Sequence, residues 1–224
     1  MHNLPKFISI LQITREQVQY GYLLAGVNRH ETSNLAEHHY LVTMLGWMLC
    51  EYLNEDGGLL VDANKVMRLC LIHDLGELFG GDMAAPLSRK RPDIKAHAQA
   101  FERGNMEILL SFLDGGVSET LHTLWEEFEE KKTDEAIIAK IADLTETHFF
   151  LEHRNVQNSQ KNLFYRDYIR PLADRLSNKV AYERLQVFFD GFEEHIQDKG
   201  FTPYRWVLES PGQIDNSTSA NSRE

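Results

Sequence analysis

The chain of 224 residues is long enough for one large domain or at most two small ones. Its 42% of hydrophobic and 25% of charged residues can supply a sizeable core, which excludes wholesale disorder. The net charge of -11 repels the phosphates that dominate affinity for duplex DNA or RNA, so such a partner is not expected. A small phosphate ester remains compatible with this charge, because a bound divalent cation can reverse the local potential.

The signals of cellular location indicate the cytoplasm. The two cysteines, Cys50 and Cys70, are too far apart in the sequence to supply a disulfide framework, which is typical of a reduced compartment. At the start of the chain no basic region precedes a long apolar run, and the apolar segment 7–13 is too short to cross a membrane. We therefore expect a cytoplasmic protein without a membrane partner.

The spacing of the apolar residues predicts an all-α fold. They recur at steps of three and four residues, and no segment alternates with the period of two that marks a half-buried strand. Because no repeat or shift in composition marks a boundary, we expect one compact helical domain over residues 1–209. Residues 210–224 are rich in Ser, Asn, Pro and Gly with almost no apolar side chains, and we expect this tail to be mobile.

The clearest predicted helix begins near residue 34. Asn34 and Glu37 have the spacing of a capping box, and the helix is expected to run to about Leu53. The residues of this helix that we expect to be buried together form a stripe at helical spacing. They are Leu41, Val42, Leu45, Leu49 and Tyr52.

The second helix is expected to begin at Asp62 or Asn64 and to continue until Gly80, so that His73 and Asp74 lie within it. The starts of the later helices are indicated by Pro92, by Ser118 as a cap, and by Thr133 or Asp134. These three helices are expected over residues 92–113, 118–130 and 134–153. Two further helices are expected over residues 163–176 and 179–197.

Three of the predicted helices place a metal-capable side chain among core-facing apolar residues. His38 is in step with the buried stripe of its helix, although a lone histidine in this position is more often part of the core. Glu77 lies four residues after His73 and three after Asp74, which puts an imidazole and two carboxylates on one helix edge. Buried carboxylates require a partner, unless this acidic end of the helix emerges into solvent.

Asp143 lies in the apolar run 137–144, where a lone carboxylate is costly to bury. Taken alone, its commoner partner is Lys140, three residues earlier on the same helix face. Taken together, two imidazoles and two carboxylates form a mixed shell that suits a divalent transition metal. Such an ion can lower the pKa of water and neutralise phosphate oxygens, so the set predicts hydrolysis of a phosphate ester.

An ordered series of short segments is similar to the HD-domain phosphohydrolase superfamily. The resemblance extends over residues 28–150 and is sharpest to the branch of 5'-deoxynucleotidases and HD-domain-containing protein 2. His-Asp alone is a weak motif, whereas the ordered set is specific. The segments that carry it are NLAEH (34–38), LIHDLGE (71–77), GDMAAP (81–86), LWEEFE (124–129), Glu135-Ala136 and KIAD (140–143).

The resemblance implies an all-α HD-domain bundle with additional C-terminal helices, frequent homodimers, and release of phosphate from deoxyribonucleoside 5'-monophosphates. It also implies a divalent ion such as cobalt or manganese. Glu77 would orient or deprotonate the attacking water, and Asp82 would protonate the leaving 5'-oxygen or contact the sugar. A turn aspartate without a role is the alternative for Asp82. The residues that would bind the ion are His38, His73, Asp74 and Asp143.

The pocket for the substrate is less well marked. Segment 20–26 lacks the tryptophan that this branch has ahead of the first ligand, which leaves the preference for deoxynucleotides open, and Tyr20 or Tyr22 could stack on a base instead. Arg29 and the basic cluster 89–91 are candidates for binding phosphate, with a solvated loop as the alternative for the cluster, including Arg89. His39 is expected to face away from His38, either packed or in water.

Other functions remain compatible with the same residues. An HD protein with two metals would need further histidines, for which His97 and His122 are candidates. A regulatory module could bind a metal or a nucleotide without turnover, although Glu77 argues against it. A helical interaction protein, finally, could pair its buried polar residues only with one another.

Overall fold

The computed structural model of the chain describes residues 1–80, 82–83, 87, 90–156 and 165–197. Throughout these ranges the secondary structure is helical and contains no β-strand, so the predicted all-α fold is confirmed. One isolated antiparallel bridge joins Val18 to Asn34. The bridge brings the N-terminal segment next to the start of the helix that carries His38.

The described α-helices are numbered in chain order. They are α1 (Leu4–Leu11), α2 (Tyr20–Leu24), α3 (Leu35–Leu53), α4 (Ala63–Ile72), α5 (Pro92–Leu110), α6 (Gly115–Glu130), α7 (Asp134–His153), α8 (Arg170–Ala173) and α9 (Lys179–Gln197). Short 3₁₀ turns occupy Gln12–Arg15, Arg29–Glu31 and Leu75–Glu77, and a π-turn occupies Tyr165–Ile169.

Three of the predicted helix starts are confirmed by their capping contacts. The Asn34 side chain accepts from the N–H of Glu37 at 3.0 Å, and the Glu37 carboxylate accepts from the N–H of Asn34 at 3.3 Å, which completes the capping box. Asp62 caps α4 and Thr133 caps α7 through a single contact each, in which the side chain accepts from the N–H three residues later. Pro92 is the first residue of α5.

The predicted boundary between α5 and α6 is wrong. Helix α5 ends at Leu110 rather than near Leu113, and α6 begins at Gly115 after Asp114. Ser118 therefore lies inside α6, where its hydroxyl donates to the carbonyl of Leu110. The reason is that Gly115 has a φ of +34°, a value that glycine adopts readily and that lets the chain turn into the helix earlier.

The core is formed by α3, α4 and α7, which pack against one another, while α6 packs on α4 and α7. The buried stripe of α3 is rotated from the predicted one, because Leu41 is 47% exposed and Tyr52 is 71% exposed. Val42 and Leu49 are buried as expected. The residues of α3 that face the core follow the helical period, and they are Leu35, His38, His39, Val42, Gly46, Leu49, Cys50 and Leu53.

The two cysteines, Cys50 and Cys70, are free and buried. No helix in the described part of the chain is both long and apolar enough to cross a membrane. Contacts group the chain into a unit of residues 1–187 and a second unit from residue 188 onward. The predicted domain end at residue 209 and the tail 210–224 lie outside the described residues, so both stay predictions.

Gly46 allows α3 to approach α4 closely. A Cβ atom at this position would lie 2.9 Å from the sulfur of Cys70 and 3.1 Å from Val66 of α4, and 3.7 Å from Ala142 of α7. These distances leave no space for a methyl group in a close-packed core. The small residue therefore sets the separation of the helices that carry the candidate site.

We expect Gly46→Ala to lower the free energy of unfolding by about 1–3 kcal/mol, because overpacking forces the core helices apart. The matched control is Gly104→Ala in α5, where an added Cβ would meet nothing within 4 Å. That change should raise the free energy of unfolding by about 0.5–1 kcal/mol through the lost flexibility of glycine. Urea denaturation followed by circular dichroism measures both; equal stability of the two variants would contradict the close approach at Gly46.

Candidate metal centre

The packing of α3, α4 and α7 brings together the four residues that the sequence predicts as metal ligands. His38 Nε2 lies 3.1 Å from Asp143 Oδ1 and 3.7 Å from Asp74 Oδ2. His73 Nε2 lies 3.2 Å from Asp74 Oδ2 and 3.7 Å from Asp143 Oδ1. Two imidazole nitrogens and two carboxylate oxygens thus surround one small space.

The spacing of these four atoms fits a transition-metal ion. Ligand atoms at ~2.1 Å from an ion lie about 3.0–3.4 Å from one another in tetrahedral or octahedral arrangements. The observed separations run from 3.1 to 3.7 Å, so small movements would suffice. Within the described residues, the group whose ligand atoms all lie within 4.8 Å of one another consists of His38, His73 and Asp74, and Asp143 is not part of it.

His73 presents a bare nitrogen to this space. Its Nδ1 lies 2.8 Å from the carbonyl oxygen of Cys70, and because a carbonyl only accepts, Nδ1 must carry the proton. In the neutral ring Nε2 then has a free lone pair. This atom is buried and makes no hydrogen bond, which is costly unless a cation or a proton occupies the space beside it.

The electrostatics of the site favour positive charge between the carboxylates. Burial alone would lower the pKa of His38, but Asp143 and Glu146 outweigh it and raise the pKa to about 9. Burial opposes charge on His73 as well, and there Asp74 and Asp143 raise the pKa to about 10. A divalent cation supplies the same positive charge in the same place.

The predicted continuous helix through His73, Asp74 and Glu77 is wrong. Helix α4 ends at Ile72, and Leu75–Glu77 form a 3₁₀ turn that leads in a new direction. Two contacts from α5 hold this turn: Asn105 donates to the carbonyls of Gly76 at 2.7 Å and Gly80 at 3.2 Å. Gly76 fits beneath α5 because a Cβ there would lie 3.1 Å from the backbone oxygen of Glu102.

The charge of Asp74 at the candidate centre raises the pKa of Glu77 and that of Asp82. Burial, together with the charges of Asp74 and Asp82, raises the pKa of Glu77 well above its usual value. Asp82 accepts from the backbone N–H groups of Tyr20 and Gly21. Burial and the charge of Asp74 raise the pKa of Asp82, and these two N–H groups oppose the shift.

Asp143 has both of the partners that the sequence left as alternatives. Its Oδ2 lies 2.5 Å from Nζ of Lys140, while its Oδ1 faces the two histidines. The Lys140 ammonium also lies 5.5 Å above the centroid of the Phe128 ring. The ion pair therefore occupies one oxygen and leaves the other directed at the centre.

Sequence reasoning missed Glu146 and did not place His39. Glu146 Oε2 lies 2.6 Å from Nδ1 of His38, and the signal for it was a carboxylate three residues after Asp143 on the same helix face. His39 is buried, with its ring centroid 4.8 Å from that of His73 and its Nε2 without a hydrogen bond. Burial and His73 lower the pKa of His39 to about 3, so its ring is neutral.

Several other predicted residues are not brought to the centre by any described contact. Arg29 lies exposed in its 3₁₀ turn, and Arg89 lies outside the described residues. Of the histidines considered for a second metal, His97 is exposed and His122 lies 3.5 Å from Glu126. Neither belongs to the metal-capable group found in the described ranges.

The segment that lacks the tryptophan contacts the centre through hydrogen bonds. Gln19 donates to Asp74 Oδ2 at 3.4 Å, and the hydroxyl of Tyr22 donates to Glu146 Oε2 at 3.1 Å. Tyr20, by contrast, is 44% exposed. Tyr22 is therefore part of the support of the site, and of the two tyrosines only Tyr20 has the exposure that stacking on a base requires.

Comparison with known proteins gives a consistent assignment. A family model described as HD domain matches residues 14–197. The chain is 30% identical over 212 residues to 5'-deoxynucleotidase HDDC2 of Dictyostelium discoideum, over 94% of this chain and 98% of that protein. It is 28% identical over 168 residues to a 5'-deoxynucleotidase of Photorhabdus laumondii, over 75% of this chain and 84% of that protein.

Two solved structures share the fold. A protein from Pyrococcus horikoshii superposes with a TM-score of 0.62 at 19% identity, over 83% of this chain and 96% of that one. A predicted metal-dependent phosphohydrolase from Magnetospirillum magnetotacticum superposes with a TM-score of 0.58 at 21% identity, over 87% of this chain and 93% of that one. With the family model matched over most of its length, the chain belongs to the HD domain family.

Proposed function

We propose that this protein is a metal-dependent phosphohydrolase that releases phosphate from nucleoside 5'-monophosphates, with deoxyribonucleotides as preferred substrates. The observation that carries the proposal is the convergence of two imidazole nitrogens and two carboxylate oxygens around one space, with Nε2 of His73 buried and bare. The class of substrate is supported by relatives that are named 5'-deoxynucleotidases. It is also consistent with an acidic protein that a cation makes attractive to phosphate.

The proposed ligands of the ion are His38, His73, Asp74 and Asp143, and the ion is cobalt, manganese or another divalent transition metal. When bound, such an ion lowers the pKa of a coordinated water and neutralises charge on phosphate oxygens. The chain itself contributes the orientation of these side chains, because the Cys70 carbonyl, Lys140 and Glu146 each hold one of them in place.

Glu77 is proposed to act on the attacking water, and Asp82 is proposed to act on the leaving group. Glu77 follows Asp74 by one turn of backbone, where a carboxylate can orient or deprotonate the attacking water. Asp82, held by the N–H groups of Tyr20 and Gly21, is proposed to protonate the leaving 5'-oxygen, with contact to the sugar as the alternative. Arg29 and Arg89 remain candidates for binding the phosphate.

The function predicts a separation between metal binding and rate. Metal-free protein should release no phosphate from deoxynucleotides, and reloading with manganese or cobalt should restore activity. Asp74→Ala should abolish metal loading, because it removes an oxygen ligand. Glu77→Ala should keep the ion and lower kcat by about 10²–10⁴-fold, the range for a lost general base. Metal content by mass spectrometry and phosphate release measure the two effects.

Glu107→Gln is the matched control for these variants, because Glu107 is an exposed carboxylate on α5. It should change neither metal content nor kcat. Failure to release phosphate from any deoxy- or ribonucleotide with any divalent ion would refute the proposed function. An equal loss of metal in Asp74→Ala and Glu77→Ala would refute the division of roles.

A comparison of leaving groups tests the role of Asp82. If Asp82 donates a proton to the leaving oxygen, Asp82→Asn should lower kcat on a deoxynucleoside monophosphate by about 10²-fold. It should have little effect on p-nitrophenyl phosphate, whose leaving group needs no proton. An equal loss on both substrates would contradict proton donation, and a rise in KM for the nucleotide alone would favour contact with the sugar.

The assembly and the location of the protein are also proposals. We propose a homodimer in the cytoplasm. Light scattering coupled to size exclusion should give a mass of twice the 25.9 kDa of one chain, at concentrations near those of the activity measurements. The mass of a single chain over that whole range would contradict the dimer.

A further inference from the structure

We infer that Glu146 is a positioning residue for the metal centre: it holds the Nδ1 proton of His38 and so directs Nε2 of the same ring at the ion. This inference rests on the proposed function and adds to it a carboxylate that binds neither the ion nor the substrate. Tyr22, in turn, holds Glu146. The three residues come from α7, α3 and α2, which makes the orientation of one ligand depend on the fold as a whole.

The contact between Glu146 and His38 is short and shielded from water. Oε2 of Glu146 lies 2.6 Å from Nδ1 of His38, and the two residues are 4% and 0% exposed. A carboxylate accepts, so the proton of this hydrogen bond belongs to Nδ1. Hydrogen bonds that involve a charged group are stronger than neutral ones, and a ring held in this way has one preferred orientation.

The other nitrogen of the same ring is the one that faces the candidate ligands. Nε2 lies 3.1 Å from Asp143 and 3.7 Å from Asp74. If the ring turned over, carbon atoms would replace both nitrogens, and the contacts with Glu146 and with the centre would be lost together. Glu146 therefore selects the orientation that the ion requires, as carboxylates behind ligating histidines do in other metal proteins.

The three-residue spacing of two carboxylates on α7 places Glu146 beside Nδ1 of His38. Asp143 and Glu146 are three residues apart on α7 and lie on the same face of the helix. One approaches Nε2 of His38 and the other approaches Nδ1. Two carboxylates of one helix therefore contact the two nitrogens of one imidazole.

Tyr22 also hydrogen-bonds to the oxygen of Glu146 that accepts from His38. Its hydroxyl donates to Oε2 at 3.1 Å, and its ring lies 4.2 Å from that of Phe150. Burial and the charge of Glu146 raise the pKa of Tyr22 well above its usual value, so the hydroxyl stays protonated and remains a donor. This hydrogen bond positions Oε2, which is the oxygen that accepts the hydrogen bond from Nδ1 of His38.

The test measures manganese binding by calorimetric titration of metal-free protein. Glu146→Leu should weaken the affinity by about 10–100-fold, the usual cost of losing such a partner. Glu146→Gln keeps an oxygen that can accept from Nδ1, and it should retain most of the affinity. Thr145→Val is the matched control, because Thr145 is the buried neighbour on α7 and its hydroxyl makes no hydrogen bond. It should leave the affinity unchanged.

A double-mutant cycle separates positioning from a general structural effect. If Glu146 acts through His38, Glu146→Leu should weaken manganese binding no further once His38→Ala is present. Additive losses, or wild-type affinity in a folded Glu146→Leu variant, would overturn the inference. Wild-type protein that binds no divalent ion would instead overturn the proposed function, so the two failures are distinguishable.

If Glu146→Leu does not fold, the glutamine variant decides the question by NMR. In zinc-loaded protein with ¹⁵N-labelled histidine, the Nδ1 proton of His38 should resonate far downfield, as expected beside a carboxylate. In Glu146→Gln it should move upfield while zinc stays bound. An Nδ1 proton that is unchanged by the substitution would overturn the inference.

Discussion

The structure of this protein depends on the placement of two carboxylates, those of Asp74 and Asp143, around the same pair of histidines. Asp74 and Asp143 reach the same space from different helices, and each approaches both histidines. Like charges near one another repel, and the repulsion is stronger where water is scarce. The protein supplies Lys140 to one oxygen of Asp143 and leaves the remaining charge to be balanced within the space. The arrangement is stable only if positive charge is present there, and this requirement explains both the raised pKa values of the histidines and the fit to a divalent cation.

The surrounding fold can be understood as the means of holding these groups rigidly. Gly46 lets α3, the helix that carries His38, approach α4 closely. The end of α4 at Ile72 releases the carbonyl of Cys70, and His73 uses that carbonyl to fix its own ring. The same break starts the turn that carries Glu77, and Asn105 donates to the carbonyl of Gly76 within that turn and to that of Gly80 after it. A continuous helix would have continued the backbone hydrogen bonds of α4, but it would not have left the carbonyl of Cys70 to hold the ring of His73.

The sequence predicts much of this arrangement because its strongest signals are local. The capping residues Asn34, Asp62 and Thr133 are confirmed. Each side chain accepts a hydrogen bond from an N–H only three residues later, so the signal is visible in the local sequence. The four candidate ligands also come together as expected, because the cost of burying them is visible in the apolar residues around each one.

The features that the sequence could not predict arise between distant segments. The end of α4 is accompanied by contacts with α5, and the buried stripe of α3 passes through the close approach at Gly46, and both features involve residues that are distant in the sequence. Glu146 carries a local signal, its spacing from Asp143, but that signal gains meaning only when His38 is known to lie opposite. His39 is buried because it lies with His38 on the core-facing side of α3.

The two histidines also show how one site can combine a fixed part and an adjustable part. The ring of His73 is held by a backbone carbonyl three residues before it, a contact that persists as long as α4 is folded. The ring of His38 is held by a side chain on α7, which is itself held by Tyr22 on α2. The segment around Tyr22 also contacts Asp74 through Gln19 and Asp82 through the backbone of Tyr20 and Gly21. A movement of this one segment would therefore act on three carboxylates at or beside the candidate centre, Asp74, Asp82 and Glu146, whereas the contact that holds the ring of His73 lies within α4 and its end.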